Sequence, residues 1–393
     1  MSYRYKTIDL PVKIFIVLLD FLGGIIFYPI ELFRKKYDSE TIKKVLVVRL
    51  DGVGDVVLST AAFREIRKYF KNAHITLLIS SWAKDIVEGS KDFDDVIVFD
   101  YFFFKTFRTQ KSNLLKGIIE VFKIIKRLRK EKFDLAIDLR GDIFTIIFSF
   151  LSGAKFCFGL ADGGGGFLLT HPVWLKQGPV STVERTLRVC KELGITSPSP
   201  ELEIKTDCEN EEKIKMLLRK QGVEEEDRVI TISPISLFRW KSWPKEKFSK
   251  LIKELINFTK TKIILVGFSS EKEEIDEIIS MAGGGINLAG KLDLLELASL
   301  LAFSSLYIGN DSGPTHIAFA VKTPMIQLFG PGEPEIFGHF DDKSILIMND
   351  DCPYRPCTQR KCKNEKEWCM DKIEVSEVLD SAKKLLFADG KNT

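Results

Sequence analysis

The residues of this 393-residue chain whose types and spacing could do chemistry fall in three short stretches, each directly after an apolar run. The first is LDGVGDVV, residues 50–57. Gly52 and Gly54 would let the backbone turn sharply from a strand into a helix, which would place Asp55 in the helix's first turn. A carboxylate there is favoured in its ionised form by the helix dipole, so Asp55 could take a proton from a bound hydroxyl as a general base. As a dinucleotide fingerprint the stretch is defective, because the third glycine is missing and Asp55 would repel an approaching pyrophosphate. A plain helix-capping aspartate is the other reading of the same residue.

The second stretch is IGNDSGPTHIAFA, residues 308–320. Pro314 suits a first helical position, Asp311 or Ser312 could cap, and Gly313 permits close approach of a ligand. With Thr315 and His316 in the first turn, exposed amides and the helix dipole would form a seat for a diphosphate. Asp311 would repel that phosphate unless it faces away or holds a sugar hydroxyl. The third stretch, ISPISLFRWKSWPKEKF at 232–248, sets Ser236, Arg239 and Lys241 between a strand and a helix opened by Pro244. Lys241 or Arg239 could neutralise charge growing on a phosphate leaving group. A solvated basic loop is the alternative.

Parallel strands of an α/β sheet would present all three stretches at their carboxyl ends. The sequence supplies those elements in alternation. Strands are expected at 44–50, 75–80, 95–100 and 133–139, with helices over 56–70 and about 112–131. The Gly- and Pro-rich segment 159–200 reads as active-site loop followed by linker. Further strands are expected at 228–234, 262–268, 286–290, 305–311 and 324–330, with helices over 245–258, 271–281, 293–303 and 314–320. The length alone calls for more than one core. The resulting division is an apolar segment 1–40, domains over 41–200 and 201–375, and a C-terminal helix and tail at 376–393, the helix able to cross back to the first domain.

The strings KVLVVRLDGVGDVVLSTAAFREIRKYF, FDLAIDLRGD, LSGAKFCFG, KSWPKEKF, NLAGKLDLLELASLLAFSSLYIGNDSGPTHIAFAVKTPMIQLFGP and CMDKIEVSEVL together resemble glycosyltransferase family 9, the ADP-heptose:lipopolysaccharide heptosyltransferases. The resemblance runs from about Lys43 to Leu386, with the motifs in family order. It implies a GT-B fold: two Rossmann-like, doubly wound α/β domains facing a cleft, here with an extra N-terminal apolar helix. It implies Asp55 as catalytic base, Lys241 as the lysine before the Trp-Pro pair, and Asp311, Ser312, Gly313, Pro314, Thr315 and His316 as the donor-binding turn. Ser236 matches a hydroxyl touching the donor phosphates, and Glu271 lies where a ribose-binding carboxylate is expected. The chain departs from the family in its first 40 residues and at Asp51-Gly52, where many members carry two serines.

The implied reaction is inverting transfer of a heptose from ADP-heptose to a lipopolysaccharide inner-core acceptor, with no required cofactor. A GT-B transferase using another nucleotide sugar or acceptor is the nearest alternative, and a non-transferring relative, either a nucleotide-sugar epimerase or a carbohydrate-binding module, is the second. The partners implied are a nucleotide-sugar donor, a lipid-linked saccharide acceptor and the inner-membrane surface. A formal charge of +3 from 58 basic and 55 acidic residues excludes a protein dominated by one sign of field, and no nucleic-acid partner is expected. Basic charge is local: residues 105–132 hold ten Lys or Arg against Glu120 and Glu131, with Phe102, Phe103, Phe104 and Phe107 beside them. Such a surface suits lipid phosphates, although a solvated helix face reads the same way.

Residues 10–33, LPVKIFIVLLDFLGGIIFYPIELF, have the length of a membrane span but are interrupted by Lys13, Asp20 and Glu31. These charges and Gly24 share one narrow stripe of a helix, and Arg34, Lys35 and Lys36 follow. A helix lying in the membrane interface, one packed on its own protein and a true span all remain open. The first makes the protein a peripheral enzyme on the cytoplasmic face of the inner membrane. Cys352, Cys357, Cys362 and Cys369 could hold a structural metal or pair by oxidation, or stay as reduced thiols, since no paired C-x-x-C knuckles are present. His74, His171 and His339 show no comparable partners in the sequence.

Overall fold

The computed structural model describes residues 10–31, 36–100, 114–175, 178–259, 261–354, 362, 364 and 368–387. The chain divides into two compact units, Met1–Glu201 and Leu202–Thr393.

The first unit opens with the helix α1 (Leu10–Glu31) and then alternates strands with helices: β1 (Lys44–Arg49), α2 (Val53–Val57), α3 (Thr60–Tyr69), β2 (His74–Ile79), α4 (Lys84–Val87), β3 (Asp95–Val98), α5 (Leu114–Glu131), β4 (Leu135–Asp138), α6 (Ile143–Leu151), β5 (Phe156–Leu160), β6 (His171–Val173) and α7 (Thr182–Glu192). The second unit continues with α8 (Cys208–Lys220), β7 (Val229–Ser233), α9 (Lys245–Thr259), β8 (Lys262–Leu265), α10 (Lys272–Ala282), β9 (Ile286–Asn287), α11 (Leu294–Phe303), β10 (Leu306–Asn310), α12 (Gly313–Ala320), β11 (Met325–Phe329), α13 (Pro334–Phe337), β12 (Ser344–Met348) and α14 (Val375–Leu386).

Each unit holds one six-stranded sheet, ordered β3-β2-β1-β4-β5-β6 in the first and β12-β11-β10-β7-β8-β9 in the second. All pairings between these strands are parallel. Read from the other edge, the second sheet repeats the order of the first, and in each the direction of winding reverses between the first and fourth strands of the unit. The central strands are apolar on both faces, as helix layers on both sides require: Val45, Leu46, Val47 and Val48 are fully buried in β1, and Ile230 and Ile232 in β7.

Several expected elements differ in the structure. The helix expected over 56–70 is two helices, because the Ser59 hydroxyl donates to the Asp55 carbonyl (2.8 Å) and the Thr60 hydroxyl to the Val57 carbonyl (2.8 Å), a competition that favours a break. Segment 159–200 is not simply loop and linker, since it carries β6 and α7. The start of α7 is fixed by Ser181, whose hydroxyl accepts from the Glu184 amide at 3.1 Å. The helix α14 packs on α9, β10 and β11 of the second unit. A true span at 10–33 is also set aside: among the described residues no helix is long and apolar enough to cross a membrane.

Candidate active site

Both units place their charged residues where an open parallel sheet makes room for ligands, beyond the carboxyl ends of the two strands at which the winding reverses. In the first unit these are β1 and β4. Gly52 precedes α2 with φ −68° and ψ 165°, ordinary extended backbone, so the turn itself does not demand a glycine there. Asp55 is the third residue of α2, and its side chain is about a third exposed at 36%. Behind it stands Arg49, the last residue of β1 and only 3% exposed. Its Nη2 lies 3.2 Å from the Asp55 carbonyl oxygen and 3.5 Å from Asp55 Oδ1, and its Nη1 is 3.4 Å from Asp51 Oδ2. Nη1 also donates to the Leu139 carbonyl at the end of β4.

Asp51 is shared. Its Oδ1 meets Arg140 Nη1 at 3.1 Å, and Arg140 also contacts Asp142 and donates to the Leu50 carbonyl. Burial works against the Arg140 cation, yet the carboxylates of Asp51, Asp142 and Asp55 hold its ionisation above the usual guanidinium range. From α7, Arg185 faces Asp162, Asp55, Asp51 and Arg49, and burial lowers it from its ordinary value. Under this layer lies Asp138, the fully buried last residue of β4, whose Oδ1 accepts from the amides of Arg140 (3.1 Å) and Gly141 (2.5 Å). Burial, reinforced by Asp142, pushes the Asp138 carboxyl up to about 7.

In the second unit the corresponding strands are β7 and β10. The loop after β7 is tied down by Asn310, a fully buried residue at the end of β10. Asn310 Nδ2 donates to the Pro234 carbonyl (2.8 Å), and its Oδ1 accepts from the Trp243 amide (3.0 Å), so one side chain fixes both ends of the loop. Trp243 itself is buried, with its indole N–H donating to the Ile373 carbonyl at 3.1 Å. Within the loop the Ser236 amide donates to the Ser242 hydroxyl (2.9 Å). Lys241 projects from a short 3₁₀ turn, Arg239–Lys241, and its Nζ meets Asp311 Oδ2 at 2.8 Å. The two side chains are 12% and 7% exposed. Asp311 therefore neither caps the helix nor points away from the basic loop; it anchors the lysine. Gly332 leaves room for this carboxylate, since a Cβ there would lie 2.9 Å from Asp311 Oδ2.

Ser312 stands at the cap position of α12 but makes no capping bond: its hydroxyl donates to the Asn310 carbonyl at 3.2 Å. The first amides of a helix have no acceptor within it, and at the start of α12 no side chain caps them. Pro314 occupies the first turn. Thr315 is turned inward, its hydroxyl bonding the Asn310 carbonyl (2.5 Å) and the Tyr307 hydroxyl (3.1 Å). His316 also points inward, with Nδ1 2.8 Å from Nε2 of His339, and burial pushes it down to about 4. His339 is held by Gln327 through its amide and carbonyl and stacks on Phe319 with ring centroids 3.9 Å apart. Of the other histidines, His74 lies 2.8 Å from Asp95 and His171 stacks on Phe158. Glu271 sits in a 3₁₀ turn after β8 and accepts from the Phe268 amide through Oε2 at 2.7 Å.

Among the described residues the cysteines form no such centre. Cys352, Cys362 and Cys369 make no disulfide, and among the described residues no group of three His, Cys, Asp or Glu could hold a metal ion; Cys357 lies outside them. Sequence reasoning missed Arg49, Arg140, Arg185, Asn310 and His339. A signal existed for two of them, since Arg140 follows a strand as directly as Asp51 does, and Asn310 immediately precedes the turn at 311–316.

Known proteins share this arrangement of sheets. Residues 121–367 match the family model described as glycosyltransferase family 9 (heptosyltransferase). A lipopolysaccharide heptosyltransferase 1 of Campylobacter coli is 27% identical over 358 residues, covering 87% of this chain and 98% of the relative. A lipopolysaccharide heptosyltransferase 3 of Escherichia coli is 26% identical, covering 85% and 96%. Among solved structures, a glycosyl transferase family 9 protein from Veillonella parvula superposes with a TM-score of 0.74 at 22% identity over 88% of this chain and 98% of its own. The E. coli ADP-heptose lps heptosyltransferase II gives 0.69 at 19% over 88% and 99%. These two share the fold, the GT-B architecture of paired parallel sheets. The family match spans well over half the chain and takes in the β4, β7 and β10 strand ends that carry Arg140, Lys241 and Asp311, and on that ground the chain belongs to glycosyltransferase family 9 and is a glycosyltransferase.

Proposed function

We propose that this enzyme transfers a heptose from ADP-heptose to a lipopolysaccharide inner-core acceptor with inversion at the anomeric carbon. The observation that carries the reading is the Lys241–Asp311 pair beside the uncapped start of α12. A cation of fixed position close to a helix start that no side chain caps is what a departing diphosphate needs. The relatives' printed activities, lipopolysaccharide heptosyltransferases 1 and 3, agree with it.

In this scheme the first unit binds the acceptor and the second the donor. Asp55 removes the proton from the acceptor hydroxyl, whose oxygen forms a bond to the anomeric carbon as the bond from that carbon to the ADP oxygen breaks. The proton ends on Asp55 and the electron pair on the leaving diphosphate. Arg49, anchored by Asp51 and the Leu139 carbonyl, orients the base. Lys241 and the amides of Ser312 and Gly313 take up the charge of ADP, performing by themselves the balancing that a cation cofactor would supply. Ser236 contacts the donor phosphates, Glu271 the ribose, and Pro314, Thr315 and His316 hold the turn in shape. The acceptor is lipid-linked, which places the enzyme peripherally at the cytoplasmic face of the inner membrane.

Assays of ADP release with Asp55→Ala and Lys241→Ala test the scheme. Each substitution is expected to lower kcat by about 10²–10³-fold while the protein stays folded. Near-normal turnover in either variant would remove that residue from its role. Thermal-shift screening addresses the donor: stabilisation by UDP or GDP compounds, and not by ADP compounds, would overturn ADP-heptose.

A further inference from the structure

An amphipathic helix on a water-soluble domain turns its apolar stripe inward and its polar stripe outward. In α1 the order is reversed. Asp20, on the polar stripe, faces the protein and accepts a hydrogen bond from the Gly165 amide at 2.7 Å. One turn on, Gly23 is buried against Phe167 so closely that a Cβ there would lie 2.5 Å from the ring. Ile16, one turn earlier, is 4% exposed. The spacing 16, 20, 23 is therefore the inner face, packed on the 3₁₀ turn Gly166–Leu168. The outer face carries Ile14, Leu18, Phe21, Leu22, Ile25 and Ile26, each between 54% and 66% exposed. This stripe runs about 18 Å along the helix.

A contiguous apolar ridge of that length marks an interaction surface. Its surroundings say which kind. Lys36, just past the helix, is exposed. The turn beneath α1 packs on α6, and α6 packs on α5. The outer side of α5 exposes Ile118, Ile119 and Phe122 together with Lys123, Lys126, Arg127 and Lys130. Apolar side chains beside a cluster of lysine and arginine are complementary to a bilayer surface bearing anionic headgroups, where the former enter the acyl boundary and the latter meet phosphate. Since no helix among the described residues can cross a membrane, the fitting geometry is one in which α1 lies in the plane. We propose that α1, seated on the first unit by Asp20 and Gly23, is an in-plane membrane-docking helix, and that the basic side of α5 adds selectivity for anionic lipid. The inference deepens the reading of a lipid-linked acceptor by naming the surface that brings the enzyme to it.

The test is flotation of the full-length protein with vesicles of phosphatidylethanolamine and phosphatidylglycerol, compared with vesicles of phosphatidylcholine alone. The protein is expected to float with the anionic vesicles, less with the neutral ones, and less as salt rises. The triple variant Leu18→Glu, Phe21→Glu, Ile25→Glu should lose about 10-fold or more of the vesicle-bound fraction, and Lys126→Glu, Arg127→Glu should lose only the preference for anionic lipid. Circular dichroism establishes that the variants fold, and the single Phe21→Ser change, with a smaller expected loss, stands in if the triple variant does not. Absence of flotation by the wild type, or equal flotation of the apolar-face variants, would overturn the proposal. So would light scattering showing a wild-type dimer that the triple variant dissociates without any lipid binding, since the ridge would then be a contact between copies. These readouts involve no sugar transfer, so failure here leaves the Asp55 and Lys241 assays to judge the reaction separately.

Discussion

Removing one member of the Lys241–Asp311 pair gives a direct measure of how firmly the proposed donor site is built before any donor arrives. The two groups are 2.8 Å apart with little solvent access. At that distance the gross Coulomb attraction is about 6 kcal/mol for an effective dielectric constant of about 20, and most of it offsets the cost of taking both charges out of water. Asp311→Asn leaves the ammonium buried with a much weaker partner, and breaking a buried pair in this way costs about 3 kcal/mol or somewhat more. In a unit of roughly 190 residues that corresponds to a fall in Tm of about 6–12 °C. Lys241→Met leaves the carboxylate stranded and should cost a similar amount. The double variant removes both charges and should recover all but about 1 kcal/mol, so the two single effects, about 3 kcal/mol each, must fail to add by about 5 kcal/mol. Scanning calorimetry of the four proteins without nucleotide measures this. A shift below about 1 °C for Asp311→Asn, or strict additivity in the double variant, would refute the argument that this is a tightly coupled buried pair.

Three further outcomes follow from buried charge. His316 is neutral in the fold because burial pushes it down to about 4, whereas in the unfolded chain it titrates near 6.5. Its contribution is therefore complete above the unfolded value and is lost as pH falls toward the folded one. Urea unfolding should show the second unit losing about 2 kcal/mol between about pH 7.5 and about pH 5, and His316→Gln should flatten that slope. Asp138 has the opposite sign, since a folded value near 7 against 3.8 means that stability falls as pH rises between the two. Asp138→Asn should accordingly raise Tm at alkaline pH and change it little in acid, measured as a pH series of melting curves. Asp51→Asn removes the acceptor shared by Arg49 and Arg140, and kinetic assays should find kcat lowered about tenfold with a smaller change in KM, because the proposed base, Asp55, loses its orientation while substrate binding is touched least.

The sequence made the central strands readable because parallel strands covered on both faces need unbroken runs such as VLVV and VITI, which nothing else in a soluble domain requires. It also made the positions of Asp55, Lys241 and the turn at 311–316 readable, because each sits between the end of a strand and the start of a helix. What stayed hidden is what depends on distant partners. Arg49 looks like the end of an apolar strand until β4 is laid beside β1, and His339 looks solitary until Gln327 brings it under α12. The strands β6 and β12 are short or only half-buried, so they show no pattern against which to be recognised. The periodicity of α1 sets Asp20 on a polar stripe, but periodicity does not say which stripe touches the protein.

The two ion pairs at the strand ends have a bearing on how the chain folds. Arg140 with Asp51, and Lys241 with Asp311, each bridge the pair of neighbouring strands that lie far apart in sequence, the latter across 70 residues. Such pairings carry the largest loop-closure cost in a parallel sheet and so close late. The charged clasps act after the halves of each sheet have met, which makes them locks on the unfolding step, governing how long the finished site persists and leaving the speed of its assembly largely to the apolar strands.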